Sequence, residues 1–553
     1  MAEAAQDEID KLIFELNTVS VNSSSVNNLK ITYPSGKIET VQNLIKFYSS
    51  IGQNTDGTMT QKAISDAIAN ATWQGGGAAE IDLGSENAGK LVIVSDEGKP
   101  IASKIKEEDI IEALIKSGNY EIEGVVGLQI DYENREITRT QEAIGKNIGS
   151  DFDGYTIYGG RMRCNVADNG NITAFYGDQN YKDDGSNGQV MIYQPKFYYQ
   201  RIIVKTDLAK LGSIVKKEIL LLSGNEQPGF KLHPLFINES GEPVDYVLLS
   251  AYEGSVYDYS ENNYDLNNTI TIDFDNDKLS SIANAKPITG TTITDAEKLA
   301  MNRGTGWHIT NMLFESANQM LEMVEFGSLN GQNILGKGIS NIQTSGSYNC
   351  ASITGSTSSL GNSSGAAEAT TNEINGNRTV YTDDGRVAIS YRGFENPWGN
   401  TWRFAGGCKV VGDGTVDSGV PYICNGYNYN DEEEYSNIGF CLPNISGWIS
   451  AMGYGEKNYD WVYMPVQCSG ANDAAPVGDN LWTTRDLNDT NVVAVGGSWS
   501  FGTSNGPFYY GCDRSYNYFS NSYNPRLLFI PTKNSIYTAN HQKWLARVGG
   551  NGV

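Results

Sequence analysis

A chain of 553 residues is too long for one ordinary domain, and its 39% hydrophobic content can bury a sizeable core, which excludes global disorder. Only 19% of residues are charged while Gly (61) and Tyr (32) are abundant, a composition that favours short strands and many turns over long helical bundles. The formal charge of −25 argues against a nucleic-acid-binding surface, and no stretch reaches the roughly 18 apolar residues of a membrane span, so no membrane insertion is expected.

The opening, MAEAAQDEIDKLIFELN, lacks the basic and apolar regions of a secretory signal. Any route outside a cell is therefore expected to bypass ordinary secretion. Ile9, Leu12, Ile13 and Leu16 fall at i, i+3, i+4 and i+7, which predicts about two helical turns that need partners to be stable. A polar stretch from Thr18 to Asn28 reads as a linker. A hairpin is predicted around Pro34-Ser35-Gly36, and a helix from Val41 to Ser49. Ile51 to Ala69 reads as a polar turn and a helix with Ala63, Ile64, Ala67 and Ile68 on one face. Residues 76–148 read as a small connector module. It holds a strand at Lys90–Val94, the turn DEGKP, and a helix from Glu107 to Ser117 stopped by Gly118.

From about Gly149 onward Gly, Tyr, Asn and Asp rise, and strand signals recur, as in Tyr193–Val204 and Asp245–Tyr252. No repeat of fixed period is present, which argues against a parallel β-helix. Seven widely spaced cysteines without a C-x-x-C read as buried free thiols. Three histidines (His233, His308, His541) and no H-E-x-x-H leave no basis for a His-based metal centre.

Two segments carry resemblances. IGQNTDGTMTQKAISDAIA (Ile51 to Ala69) resembles a segment common near the N-termini of bacteriophage tail-fibre proteins. Four later elements occur in order. They are a helix within RGTGWHITNMLFESANQMLEMVEFGSLNGQ (Arg303–Gln332), the turn in SYRGFENPWGNTWRFAGG (Ser390–Gly407), VVAVGGSWSFGTSNGPFYY (Val492–Tyr510), and NPRLLFIP (Asn524–Pro531). The helix has Met312, Leu313, Ala317, Met320, Leu321 and Val324 as its apolar stripe and ends at Gly327. Gly399 and Asn400 suit a tight turn that lets Trp398 and Trp402 plug the core, and Gly496 and Gly497 allow close backbone approach beneath Trp499.

Together these elements resemble the C-type lectin fold in its formylglycine-generating-enzyme-like branch, closest to proteins diversified by retroelements. The resemblance covers roughly 190–535. It implies an α+β class with three parts: a tail or baseplate attachment segment (1–75), the connector (76–148), and a C-type lectin-like receptor-binding domain (149–553).

The resemblance also places a ligand-binding surface in Ser500–Asn524, where Ser500, Phe501, Phe508, Tyr510, Asp513, Arg514, Tyr516, Asn517, Tyr518, Asn521, Tyr523 and Asn524 are the candidate contacts. Tyr offers amphipathic contact area at low entropic cost, and Asn and Ser offer adaptable hydrogen bonding. Exposed rings also suit stacking on sugars, with Asp513 and Arg514 fixing polar groups. The opposing reading is a Tyr-rich hairpin whose rings pack internally, and alternation lets only half of any strand face a ligand.

No catalytic residue, cofactor or metal is assigned. The copper-binding Cys pair of formylglycine-generating relatives is absent, since only Cys512 lies in the matching interval, and the clustered His of sulfur-transferring relatives is missing. Carboxylates are too numerous to single out a glycosidase pair, and Asp431-Glu432-Glu433-Glu434 reads as a solvated loop. Asp273, Asp275 and Asp277 begin like a calcium loop, but Lys278 and Asn284 stand where Gly and Glu are needed. His308 reads as a packing residue, and Arg303 and Arg526 as makers of buried hydrogen bonds.

The expected protein is a non-enzymatic virion component at the tail tip or tail fibre. It would be a homotrimer held by other tail or baseplate proteins, adsorbing the particle to a bacterial surface glycan or protein. The alternatives are a bacterial surface-displayed diversified adhesin and a purely structural fibre connector.

Overall fold

The computed structural model describes residues 120–532, except 210, 343–348, 373–377, 413–417, 444, 456, 470–476 and 484–489. It also describes 30–32, 38–40, 90–94, 100–116 and 118. The helices predicted at Ile9–Leu16, Val41–Ser49 and Ile51–Ala69, the linker at Thr18 to Asn28 and the turn DEGKP as far as Lys99 lie outside the described residues. The chain divides into two compact units, Met1–Tyr120 and Glu121–Val553.

In the first unit Lys30–Thr32 pairs antiparallel with Ile38–Thr40, the two arms of the hairpin expected around Pro34. Lys90–Val94 pairs antiparallel with Pro100–Lys106, and the helix Glu107–Lys116 follows, with Gly118 at φ +72° beyond its end. The second compact unit begins well before residue 148, the bound expected for the connector. Val125–Asp131 is hydrogen-bonded along Ser213–Ser223, so these residues belong to the second unit.

The α+β expectation is overturned. Among the described residues 41% are in strands and 14% in helix, and the architecture is mostly β. The cause is visible locally, since Gly and Asn repeatedly take positive φ and end strands after a few residues. The largest sheet has fifteen strands among the described residues. Its centre runs Gly447–Tyr454, Asn480–Thr483, Gly506–Ser515, Thr490–Gly496, Trp402–Gly412 and Ser418–Cys424, each bonded to the next. A six-stranded sheet includes Gln189–Pro195, Tyr246–Ser250 and Leu527–Phe529. The predicted Tyr193–Val204 strand is broken at Lys196 and Phe197 into Gln189–Pro195 and Tyr198–Leu208.

The helix Met312–Phe326 packs inside the main core. Asn311 caps it by accepting from the Phe314 amide at 2.9 Å, and Gly327, at φ +63°, ends it. The predicted stripe is buried except for Leu313, which is partly covered. The opposite face is buried as well; Glu315 and Glu325 are paired there, while Glu322 has one carboxyl oxygen without a hydrogen-bond partner. Arg403 holds Glu315 through two hydrogen bonds of 2.8 Å, and Arg392 holds Glu325 at 2.7 and 2.8 Å.

The two Trp-Gly motifs interlock. Gly399 N–H donates to the Gly496 carbonyl at 3.0 Å, and Trp499 N–H donates to the Asn400 carbonyl at 3.1 Å. Gly399 (φ +75°) and Asn400 (φ +57°) make the turn, and Trp398 and Trp402 are buried in two different core clusters. All seven cysteines are free thiols, six buried and Cys468 partly so.

Candidate functional site

The strand Gly506–Ser515 lies between Thr490–Gly496 and Asn480–Thr483, so both its edges are paired, and a core cluster covers each of its faces. Alternation sends Phe508, Tyr510 and Cys512 into the main core and Tyr509 into the second cluster. The Tyr510 hydroxyl donates to the Tyr463 carbonyl at 2.7 Å and accepts from Gln319 at 2.9 Å. Asn524 donates to the carbonyls of Gly254 and Ile288 and accepts from the Gly254 amide, which ties the strand ends together. Tyr523 packs against Trp402 and Tyr518. Phe508, Tyr510, Tyr523 and Asn524 are therefore framework residues, and their expected role as ligand contacts is corrected.

The remaining candidates reach the surface. Ser500, Arg514 and Asn517 are exposed, and Phe501, Asp513, Tyr516, Tyr518 and Asn521 are partly so. A register shift makes this grouping possible. Ala494 faces Gly511, but Val492 faces Arg514, so the Gly506–Ser515 strand carries one extra residue there. Such a bulge re-aims side chains. Here the consecutive residues Asp513 and Arg514 come into contact, Arg514 Nε lying 3.1 Å from Asp513 Oδ2.

The same carboxylate oxygen accepts the indole N–H of Trp482 at 3.0 Å. Trp482 stands opposite Gly511 in the parallel pairing and is 47% exposed. The Arg514 guanidinium lies 4.9 Å from the centre of the Tyr518 ring, and neighbouring Phe519 is 65% exposed. Burial pushes the Asp513 carboxyl up, against the opposing pull of Arg514 and the Trp482 hydrogen bond. Beside this group Tyr516 meets Tyr435, oxygen to oxygen at 3.4 Å, and Lys409 lies over the Tyr435 ring while paired with Glu432.

Trp482 and Phe519 were not among the expected contacts. The signal for Trp482 was present in NLWT, where an apolar Leu481 alternates with a Trp that must then face outward, as it does. It lies outside the Ser500–Asn524 interval because the sheet, and not the chain, makes the two strands neighbours.

Elsewhere the histidine, arginines and acidic loops singled out in the sequence are bonded within the fold. His308 bridges Glu297 and Glu239, 2.9 Å from each, and stacks beside Tyr427. Burial alone would lower its pKa, but the two carboxylates outweigh that and raise it to about 9, which holds the imidazolium with both N–H groups donating. Arg303 donates to the Leu279 carbonyl and Ser280, and Arg526 to the Glu395 carbonyl, as expected of buried framework cations. In the acidic loop Asp273 and Asp277 accept hydrogen bonds from the loop's own amides and from Tyr259. Among the described residues no group of three or more His, Cys, Asp or Glu is placed to hold a metal ion. Asp431 accepts from the Glu433 amide in an exposed turn.

No family model matches the chain, and no match is found among curated proteins.

Proposed function

We propose that this chain is a receptor-binding protein of a bacteriophage tail, adsorbing the virion to a bacterial surface without chemical turnover. The observation that carries the reading is the surface group of Trp482, Asp513, Arg514 and Tyr518, in which two rings and a charge pair are held by one another, with exposed Phe519 next in the chain. Amphipathic rings with fixed polar neighbours are the composition of a recognition surface. The N-terminal segment, with its tail-fibre-like string at Ile51 to Ala69, attaches to the tail or baseplate, and a homotrimer multiplies modest single-site affinity through effective concentration.

The test is binding of the labelled full-length chain to susceptible and resistant bacteria, with competition against virion adsorption. Selective binding that blocks adsorption supports the reading. Incorporation into tails without any cell binding replaces it with a structural connector. Retroelement diversification makes a separate prediction at the nucleotide level. A template repeat near the gene should differ at adenines opposite codons for surface residues such as Arg514, Asn517 and Asn521, and should spare Phe508, Tyr510 and Asn524. A repeat that varies the buried codons as freely as the exposed ones would sink that idea.

A further inference from the structure

We infer that the surface around Trp482 takes an uncharged saccharide, a hexose or N-acetylhexosamine chain, with Trp482 as its stacking platform; the inference rests on the receptor-binding reading above. Trp482 sits on Asn480–Thr483 with its indole N–H bound to Asp513 and with Gly511 as its neighbour on the next strand. The space over Gly511 is taken by the buried Trp402 ring, and the hydrogen bond to Asp513 sets the tilt of the Trp482 ring before any ligand arrives. A half-exposed apolar surface fixed in this way loses little freedom on binding.

The polar groups beside the ring are of kinds that pair with hydroxyls. The Asp513 carboxylate and the Arg514 guanidinium adjoin the ring, and together they offer acceptor and donor capacity beyond the one bond that links them. On one side Arg514 lies over Tyr518, with Phe519 exposed next to it. On the other, Thr483 N–H donates to Ser446 Oγ and the Ser446 hydroxyl donates to the Thr483 carbonyl, with exposed Ile445 adjacent. Apolar and polar groups thus alternate across the surface, as C–H faces and hydroxyl edges alternate on a pyranose. A protein partner asks instead for about 800 Å² per side with a continuous apolar centre, and here charge interrupts the rings.

Charge decides between kinds of saccharide. The chain carries a formal −25, and the cation in this group, Arg514, is already paired with Asp513. Polyanionic chains are repelled by such a field, whereas uncharged ones are not.

The experiment uses the full-length chain on an array of uncharged hexose and N-acetylhexosamine oligosaccharides alongside acidic ones, and on susceptible cells treated with periodate or with protease. Binding is expected to uncharged oligosaccharides, and to cells in a manner abolished by periodate but retained after protease. Trp482→Ala and Asp513→Asn should each weaken it at least tenfold with an unchanged thermal midpoint, and Trp482→Phe, which keeps a ring but loses the N–H donated to Asp513, should restore only part of it. Cell binding that survives periodate and disappears with protease overturns the saccharide in favour of a protein receptor and leaves the receptor-binding reading standing. Preference for acidic glycans, or a Trp482→Ala chain that binds as well as the parent, also overturns the inference. Array binding with no binding to any cell upholds the saccharide site and removes the adsorption reading.

Discussion

Arginine meets carboxylate in two settings in this protein. At the buried helix Met312–Phe326, Arg403 grips Glu315 with Nε and Nη2, each at 2.8 Å, and neither side chain is more than 5% exposed. At the sheet surface Arg514 meets Asp513 at 3.1 Å with its side chain 48% exposed, and the carboxylate is shared with Trp482. The buried pair spends its hydrogen-bonding capacity within the fold, since Arg403 also donates to the Pro397 carbonyl at 2.9 Å. The surface pair is set among exposed rings. Identical side-chain chemistry therefore builds scaffold in one place and the proposed recognition surface in the other, and burial is what separates them.

Removing one member of the buried pair should break this comparison most severely. Arg403→Met strands Glu315 without its cation and should cost about 3–5 kcal/mol, read as a lower urea midpoint with an unchanged slope. A cost under about 1 kcal/mol would place Arg403 with the surface pair instead.

The His308 bridge comes next. Its pKa is raised in the fold from 6.5 to about 9, so its stabilisation is fully present below pH 6.5 and is lost as pH rises through 9. The loss should reach on the order of 3 kcal/mol and appear as a falling thermal midpoint between pH 6.5 and 9.5. The charged groups facing the ring are Glu297 and Glu239, and His308→Gln should flatten this part of the profile. An identical slope in the variant would assign the alkaline loss to other groups. Glu322 is one such group, raised to about 8 by burial against the pull of Arg161 and Arg403.

A smaller effect is expected at the interlocked turns. Gly399 has φ +75°, and a Cβ there would lie 2.6 Å from the Ile339 carbonyl oxygen. Gly399→Ala should cost about 1–3 kcal/mol in thermal or urea unfolding, and a neutral result would show that the turn relaxes. The smallest change in stability belongs to the surface. Arg514→Ala should alter it by no more than about 1 kcal/mol while lowering cell binding at least tenfold. If Arg514→Ala unfolds the chain as readily as Arg403→Met, the distinction between the two settings disappears.

Much of the framework was legible in the sequence. The helix was readable from its apolar spacing, the Trp398–Trp402 turn from Gly-Asn between two large rings, and the free thiols from cysteines without pairing geometry. The candidate surface was half legible. The interval Ser500–Asn524 does contain Asp513, Arg514 and Tyr518, but composition alone could not sort them from Phe508, Tyr510, Tyr523 and Asn524. A Tyr in a strand covered on both faces and a Tyr in an open loop have the same letter. The class was misjudged for a related reason, because one strong helix drew attention away from many strands of two to seven residues whose individual signals are weak.

The local pieces follow from the amino-acid order alone: where the helix starts and stops, where the backbone must turn through positive φ, and which large rings need burial. These depend on neighbours within a few positions. It took the assembled sheets to place Trp482 beside Asp513, thirty-one residues away, to bring Asp513 and Arg514 together through a register shift, and to bury the helix's second face. Those facts depend on strand order and sheet coverage, which arise from long-range pairing that no local pattern encodes.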